Sequence, residues 1–347
     1  MEYKNLGNSG LQVSAVGLGG NNFGDRRVAG HGMDEAAATA IINQAIEEGI
    51  TFFDTADFYG GGKSEEYLGK ALKPHRRNVV VATKVSGWTG EGPYWRGASR
   101  KYLMEAVEAS LRRLDVDYID LLQIHVGDRQ TPIEETLRTL DDLIHAGKVR
   151  YIGNCNFFGW QISEAEWVAR TEHLSRFISV QNEYNLMQRS IEVEIAPTCE
   201  RYGLGLLPFH PLASGFLTGK YRPDRAPPEG ARLGSTSAAG PALSEVNFAQ
   251  LMKLEKFAEE RGHTILELAI SWLASRPFVG SVIAGATKPE HVKANARAAS
   301  WKLTGEECEE IDGILEYVPV TLRGMHAASG QYQDPRTSQV AGAYGRV

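Results

Sequence analysis

Phe53-Asp54-Thr55-Ala56-Asp57-Phe58-Tyr59-Gly60-Gly61 sets a carboxylate and a phenol five residues apart, where a short β-rich run ends and a loop begins. The next apolar run, Val79-Val80-Val81-Ala82-Thr83, ends on Lys84. The one after it, Ile119-Asp120-Leu121-Leu122-Gln123-Ile124, ends on His125. Three successive strands then deliver Asp54, Tyr59, Lys84 and His125 to one edge of a parallel sheet, the edge where parallel α/β proteins keep their chemistry.

Working outward, strand-like runs end near Leu18, Asp54, Lys84, Ile124, Gly153, Gln181, Phe209 and Ile283, which makes eight. Helical punctuation lies between them. Asp34 is placed to cap a helix over Glu35 to Glu48 with Gly49 beyond it, and Thr131-Pro132-Ile133-Glu134 reads as a capping box closed by Gly147. Thr264 with Glu267 and Thr304 with Glu307 repeat the box ahead of apolar residues at helical spacing. Eight strands alternating with helices predict an α/β (β/α)8 TIM barrel, with a doubly wound open sheet as runner-up. The opening residues 2–14 read as a β-hairpin around Asn8-Ser9-Gly10.

Two loops break the rhythm on the expected catalytic face: residues 86–98, rich in glycine and aromatics, and residues 222–244, rich in proline, glycine and serine. Both are read as lids. The expected division is a single barrel domain over residues 1–321 and a lid-like or disordered tail over 322–347.

The chain has 347 residues, is 42% hydrophobic and 23% charged, and carries a formal net charge of -6. That balance offers no general attraction for nucleic acid or an anionic membrane. Three cysteines, Cys155, Cys199 and Cys308, fit reduced thiols rather than a disulfide framework. There is no secretory h-region and no span-length apolar run, so a cytoplasmic location is the default expectation. Neither HExxH nor paired CxxC suggests a metal.

Each of the four strand-end residues has an ordinary reading alone: a turn cap, a solvated lysine, a core histidine. As a set they suit one reaction. A lysine ammonium beside a tyrosine lowers the phenol pKa, an aspartate fixes the lysine, and a neutral histidine donates a hydrogen bond to a carbonyl oxygen. Such a group protonates an oxygen as hydride reaches its carbon, or runs the reverse.

The chain resembles the aldo-keto reductase family from Leu6 to about Pro319. The match is carried by residues 49–60 (Gly-Ile-Thr-Phe-Phe-Asp-Thr-Ala-Asp-Phe-Tyr-Gly), Lys84, 117–125 (Asp-Tyr-Ile-Asp-Leu-Leu-Gln-Ile-His), 152–157 (Ile-Gly-Asn-Cys-Asn-Phe) and 217–221 (Leu-Thr-Gly-Lys-Tyr). The resemblance implies a catalytic tetrad of Asp54, Tyr59, Lys84 and His125, and NADPH bound across the barrel mouth without a Rossmann fold. Independently, Gly17-Leu18-Gly19-Gly20-Asn21-Asn22 lacks the third glycine of the dinucleotide fingerprint.

By the same resemblance, Asn156 and Gln181 hold the nicotinamide carboxamide, Phe209 stacks on the ring, and Gly20, Asn21, Asp54, His210 and Pro211 lie beside the cofactor. Leu212, Ser214, Gly215, Leu217, Gly219 and Lys220 wrap the pyrophosphate. Glycines there let backbone N–H groups approach phosphate oxygens, although an ordinary glycine-rich turn has the same spacing. Gly285, Thr287, Lys288, His291 and Asn295 resemble the site for the adenosine 2′-phosphate at a helix N-terminus. His291, Ala294 and Cys155 depart from the family pattern, where glutamine or arginine, glutamate and serine are common. Lys288, Lys293 and Arg297 favour NADPH over NADH.

The implied partner is a small carbonyl or alcohol substrate. Its walls are expected from Phe23, Phe58, Tyr59, Trp88, Tyr94, Trp95, His125 and Phe157, with Arg96 and Arg129 as candidates to meet an anionic group. A second implied reading is an NADP-binding regulatory subunit, because potassium-channel β-subunits resemble the same family. Such a role calls for a partner surface, and no exposed apolar stripe is read from the sequence. A metal-dependent isomerase on a barrel lacks the ligands it would need.

Overall fold

A computed structural model of the chain describes residues 1–24, 32–92, 94–234 and 242–316. The masked stretches include part of the 222–244 loop, and the tail over 322–347 lies wholly outside the described residues.

The first two strands, β1 (Tyr3–Asn5) and β2 (Gln12–Ser14), pair antiparallel as the expected hairpin. Eight parallel strands follow: β3 (Val16–Gly19), β4 (Phe52–Asp54), β5 (Val80–Val85), β6 (Ile119–Ile124), β7 (Val149–Cys155), β8 (Phe177–Gln181), β9 (Gly205–Leu206) and β10 (Val282–Gly285). Consecutive strands are neighbours from β3 to β9, and β10 pairs with β3. The ring closes between β9 and the segment leading into β10. Leu206 N donates to Phe278 O, Gly280 N to Leu206 O and Ile283 N to Pro208 O, at 2.7–2.9 Å. The fold is a (β/α)8 barrel, and the open-sheet alternative is excluded by this closure.

Helices α1 (Glu35–Glu47), α2 (Lys63–Leu72), α3 (Arg100–Leu114), α4 (Ile133–His145), α5 (Gly159–Thr171) and α6 (Ile195–Tyr202) cover the sheet. They are followed by α7 (Glu245–Glu259), α8 (Ile265–Ala274), α9 (Pro289–Ala298) and α10 (Gly305–Ile314). The caps follow their sequence signals. Asp34 accepts from Ala37 N at 2.9 Å, and Thr264 and Thr304 form reciprocal boxes with Glu267 and Glu307.

Two expectations are corrected. Thr131 does not cap α4: Pro132 occupies the cap position with no side-chain bond, and the Thr131 hydroxyl donates to Asp128 at 2.7 Å instead. The strand expected to end at Phe209 stops at Leu206, and Phe209 joins the sheet through a single bridge to Glu183. Pro208, which has no N–H for the ladder, intervenes.

Alternation along the strands sorts each residue to the barrel interior or to the helices. Phe53, Val81, Leu122 and Val180 belong to the core under the helices. Their neighbours Phe52, Val80, Ala82 and Leu121 form an inner core with Leu207 and Ile283, closed below by Leu6 and Val13 of the hairpin. The same period-two count then carries Asp54, Lys84, Gln123 and His125 to the upper layers of the interior. The site is therefore a consequence of strand register: Asp54 pairs with Ala82, and Lys84 with Gln123.

Candidate active site

At the C-terminal mouth, the fully buried Lys84 ammonium lies 2.5 Å from Asp54 Oδ2 and donates to Thr55 O at 2.9 Å. The other carboxylate oxygen, Asp54 Oδ1, accepts from Gln181 Nε2 at 2.9 Å and Gln123 Nε2 at 3.2 Å. Both oxygens of a buried anion are thus satisfied, which a buried ion pair requires. Burial works against the Lys84 charge, but Asp54 foremost, with Tyr59 and Cys155, together outweigh it and raise the lysine above its ordinary value.

Tyr59 opens the short helical turn after β4, made possible by Gly60, Gly61 and Gly62 in the left-handed region. At Gly60 a Cβ would stand 2.2 Å from Phe23 O, so no larger residue fits there. Lys84 Nζ sits 5.1 Å from the Tyr59 ring centroid. Burial nevertheless pushes the Tyr59 phenol up to about 12, outweighing Lys84. The net direction is opposite to the sequence expectation, because the phenolate loses more in desolvation than it gains from an ammonium already paired with Asp54.

His125 meets the Tyr59 ring edge-on, with centroids 5.7 Å apart, and stacks on Phe58 at 5.0 Å. Burial and the nearby Lys84 charge bring its pKa down to about 3, so the imidazole is neutral. Its Nδ1 is buried with no partner among the described residues. An orphaned acceptor is less costly than an orphaned N–H, which puts the proton on Nε2.

A cavity of about 840 Å³ opens above these groups. Asp54, Tyr59 and His125 line one end, with Asn156, Gln181 and Cys155 beside them. Asn156 has φ +58° and donates to His125 O at 3.1 Å and Cys155 Sγ at 3.2 Å. Cys155 is fully buried, and desolvation raises its thiol to about 12, which makes it an inert wall rather than a nucleophile. The middle of the cavity is lined by Phe209, His210, Pro211, Leu212, Ser214 and Gly215. His210 and Ser214, with Ala213 between, hold positive φ, so backbone strain is concentrated along this wall.

Lys220, Gly285, Thr287, His291, Asn295 and Asn21 also line the cavity. Lys220 Nζ lies over the Gly215 turn, where a Cβ would approach it to 2.8 Å. Burial lowers the Lys220 pKa, and burial with Lys288 and Lys220 nearby lowers that of His291. Lys220 and the backbone around Gly215 and Gly285 leave this part of the cavity suited to a negatively charged group.

Several expected residues do not line the cavity. Phe23 and Phe157 are buried in the core, Phe157 edge-on against Phe177. Leu217 is also core, Gly219 ends its turn, Gly20 packs under Ser64 and donates to Asp54 O, and Lys288 is exposed at the cap of α9. Arg96 lies 5.9 Å from the Trp88 ring centroid. Trp88, Tyr94 and Trp95, with Phe158 and Trp160 after β7, stand exposed. Asn22, Arg232 and Leu266 line the cavity without having been singled out. Asn22 Nδ2 donates to Ala286 O at 2.7 Å, tying the first barrel loop to the last.

Among the described residues there is no cluster suited to a metal and no helix long and apolar enough to cross a membrane. The model of the Aldo/keto reductase family matches residues 15–316. A probable voltage-gated potassium channel subunit beta of Oryza sativa subsp. japonica is 38% identical over 327 residues, covering 92% of this chain and 98% of the relative. A versiconal hemiacetal acetate reductase of Aspergillus parasiticus is 35% identical over 342 residues, covering 93% and 98%. A match across this extent, on a barrel with this mouth, shows that the chain belongs to the aldo/keto reductase family.

Proposed function

We propose that the protein reduces an aldehyde or ketone to an alcohol with NADPH, and that Asp54, Tyr59, Lys84 and His125 are its catalytic residues. The single observation that carries this reading is the protonated, desolvated Tyr59 beside a paired Lys84 and a neutral His125 at the closed end of the cavity.

The cavity fits the cofactor. It is long enough to be lined at one end by Gln181 and Asn156 and at the other by Lys220 and His291, with Phe209 between. Gln181 Nε2 is committed to Asp54, which leaves Oε1, touched among the described residues by the weak Cys155 thiol at 3.8 Å, to accept from a carboxamide. Lys220 lines the other end with Thr287, His291 and Asn295, groups able to meet the phosphate oxygens of the cofactor. When bound, the cofactor supplies hydride.

The chain's own groups do the rest. His125 Nε2–H orients the substrate oxygen, and Tyr59 donates its proton to that oxygen as negative charge builds there. Lys84 stabilises the phenolate left behind, and Asp54 keeps Lys84 in place. A phenol held near 12 stays protonated near neutral pH, the form needed to donate to the substrate oxygen, and the same group takes the proton back when the reaction runs in reverse. Trp88 and Trp95 are not among the residues that line the cavity but stand exposed on the loop after β5, whose Gly87 packs against Phe58, and there they suit contact with the outer part of a bulky apolar carbonyl. The relative named as a hemiacetal acetate reductase agrees with this reading, while the channel-subunit relatives supply its alternative.

Turnover of a panel of aromatic and aliphatic carbonyls, followed by NADPH absorbance, tests the reading. Oxidation of NADPH that depends on the carbonyl and on Tyr59 supports it. Tight NADPH binding with no turnover across the panel favours the regulatory subunit.

A further inference from the structure

Two residues before Tyr59, Asp57 is 4% exposed, and its Oδ1 has no hydrogen-bond partner among the described residues. Its Oδ2 accepts from the Tyr102 hydroxyl of α3 at 3.1 Å. The same hydroxyl lies 3.3 Å from Gly87 O and 3.2 Å from Thr89 Oγ1, both in the loop after β5. That loop is braced across itself, with Thr89 N donating to Trp95 O at 3.0 Å and Gly97 N to Ser86 O at 3.3 Å. It carries Trp88 and Trp95. It also presses on the site, because a Cβ at Gly87 would stand 2.4 Å from the Phe58 ring, which stacks on His125.

One hydroxyl carries one proton, so Tyr102 cannot donate to Asp57 and Gly87 O at once. The charge on Asp57 decides between them. An ionised Asp57 captures the Tyr102 proton and leaves Gly87 O without its donor. A protonated Asp57 donates to the Tyr102 oxygen, which frees Tyr102 to donate onward to Gly87 O and clamps the loop.

We propose that Asp57 and Tyr102 are positioning residues that form a proton-controlled latch on the 86–97 loop, setting how firmly its aromatic rim and Phe58 are held over the substrate site. The groups facing Asp57 are Glu65 from α2 and Tyr102 and Arg113 from α3. Glu65 is itself fully buried, bonded to Thr83 and Arg113 at 2.6 Å each, so the one arginine is already committed to it. Burial first and the Glu65 charge second bring Asp57 up to about 7, within reach of physiological pH. The latch is thus engaged below neutrality and released above it.

The role in substrate positioning rests on the proposed carbonyl reduction, whereas the latch itself does not. Two measurements separate them. Amide exchange of residues 86–97, expressed as protection factors to remove the intrinsic pH effect, reads the loop without turnover. In the wild type, protection is expected to fall several-fold between pH 6 and pH 8.5. Asp57→Asn donates to Tyr102 permanently and is expected to stay protected at both pH values, while Tyr102→Phe, which keeps the ring packing, is expected to be weakly protected at both. Equal pH dependence in the wild type and Asp57→Asn overturns the latch. In turnover, KM for a bulky aromatic carbonyl is expected to rise about 3- to 10-fold over the same range in the wild type but not in Asp57→Asn, with NADPH affinity unchanged. If the exchange result holds and no carbonyl is turned over, the latch stands and the functional reading fails. If turnover occurs and the KM profiles coincide, the positioning role fails.

Discussion

The carboxylate of Asp54 and the ammonium of Lys84 form a 2.5 Å ion pair in which lysine has no solvent exposure and aspartate is only 4% exposed. Such a pair is costly to assemble and more costly to break, because removing one partner strands a buried charge. Lys84→Met is expected to cost about 3–5 kcal/mol of stability. The double variant Asp54→Asn with Lys84→Met should recover part of that loss while remaining inactive. Urea unfolding midpoints of the wild type, each single variant and the double variant measure this. Additive losses would show that the charges do not depend on one another.

Tyr59→Phe removes only the hydroxyl and keeps the ring against His125. Carbonyl reduction is expected to fall about 10²- to 10⁴-fold. NADPH affinity, read by quenching of protein fluorescence, should stay within a few-fold. A variant retaining full turnover would remove Tyr59 from the proton path.

How much of this was legible in the sequence depends on strand period. Asp54, Lys84 and His125 end runs of apolar residues, and once the barrel is inferred, alternation sends all three inward beside Gln123. Tyr59 follows because the glycine turn after β4 leaves it one place to go. Loop residues carry no such count. Phe23 and Phe157 follow strands β3 and β7 closely enough to suggest cavity walls, yet both side chains turn into the core. Arg232 lines the cavity from a proline-rich stretch with no periodicity, where no sequence rule says which side chain faces in. Asp57 looked like the loop half of a family motif. Its burial became visible only when α2 and α3 brought Glu65, Tyr102 and Arg113 around it.

The neutral states of Tyr59 and His125 set the broad pH profile. Tyr59, held up near 12, stays protonated until strongly alkaline pH, and His125, held down near 3, stays neutral until strongly acidic pH. Apart from the component assigned to Asp57, kcat for reduction is therefore expected to be flat from about pH 5 to pH 10. A steep loss centred on 6.5 that survives Asp57→Asn would mean that His125 titrates in the ordinary range.

Lys220, whose Nζ lies over the Gly215 turn, lines the end of the cavity where Arg232 and His291 also lie. Lys220→Met is expected to weaken binding of NADPH and NADH alike, about 10-fold, since Lys220 belongs to the segment expected to wrap the pyrophosphate that both carry. The wild-type preference for NADPH should also shrink as salt rises. A much larger loss for NADPH than for NADH would instead move Lys220 to the 2′-phosphate end beside His291.

Asp57 also leaves a signature in stability that needs no substrate. Its pKa rises from an ordinary 3.8 in the unfolded chain to about 7 in the fold. The folded state therefore holds a proton that the unfolded state releases, so stability is lost as pH climbs from about 4 through about 7. Above 7 both states are ionised and the fold bears the full cost of the buried charge. Asp57→Asn removes that cost, and it should stabilise the protein by about 2 kcal/mol more at pH 8 than at pH 5. Urea titrations of both proteins at the two pH values check the difference. A gain of the same size at each pH would mean that Asp57 keeps an ordinary pKa inside the fold, and the charge-dependent choice made by the Tyr102 hydroxyl would then have nothing to drive it near neutral pH.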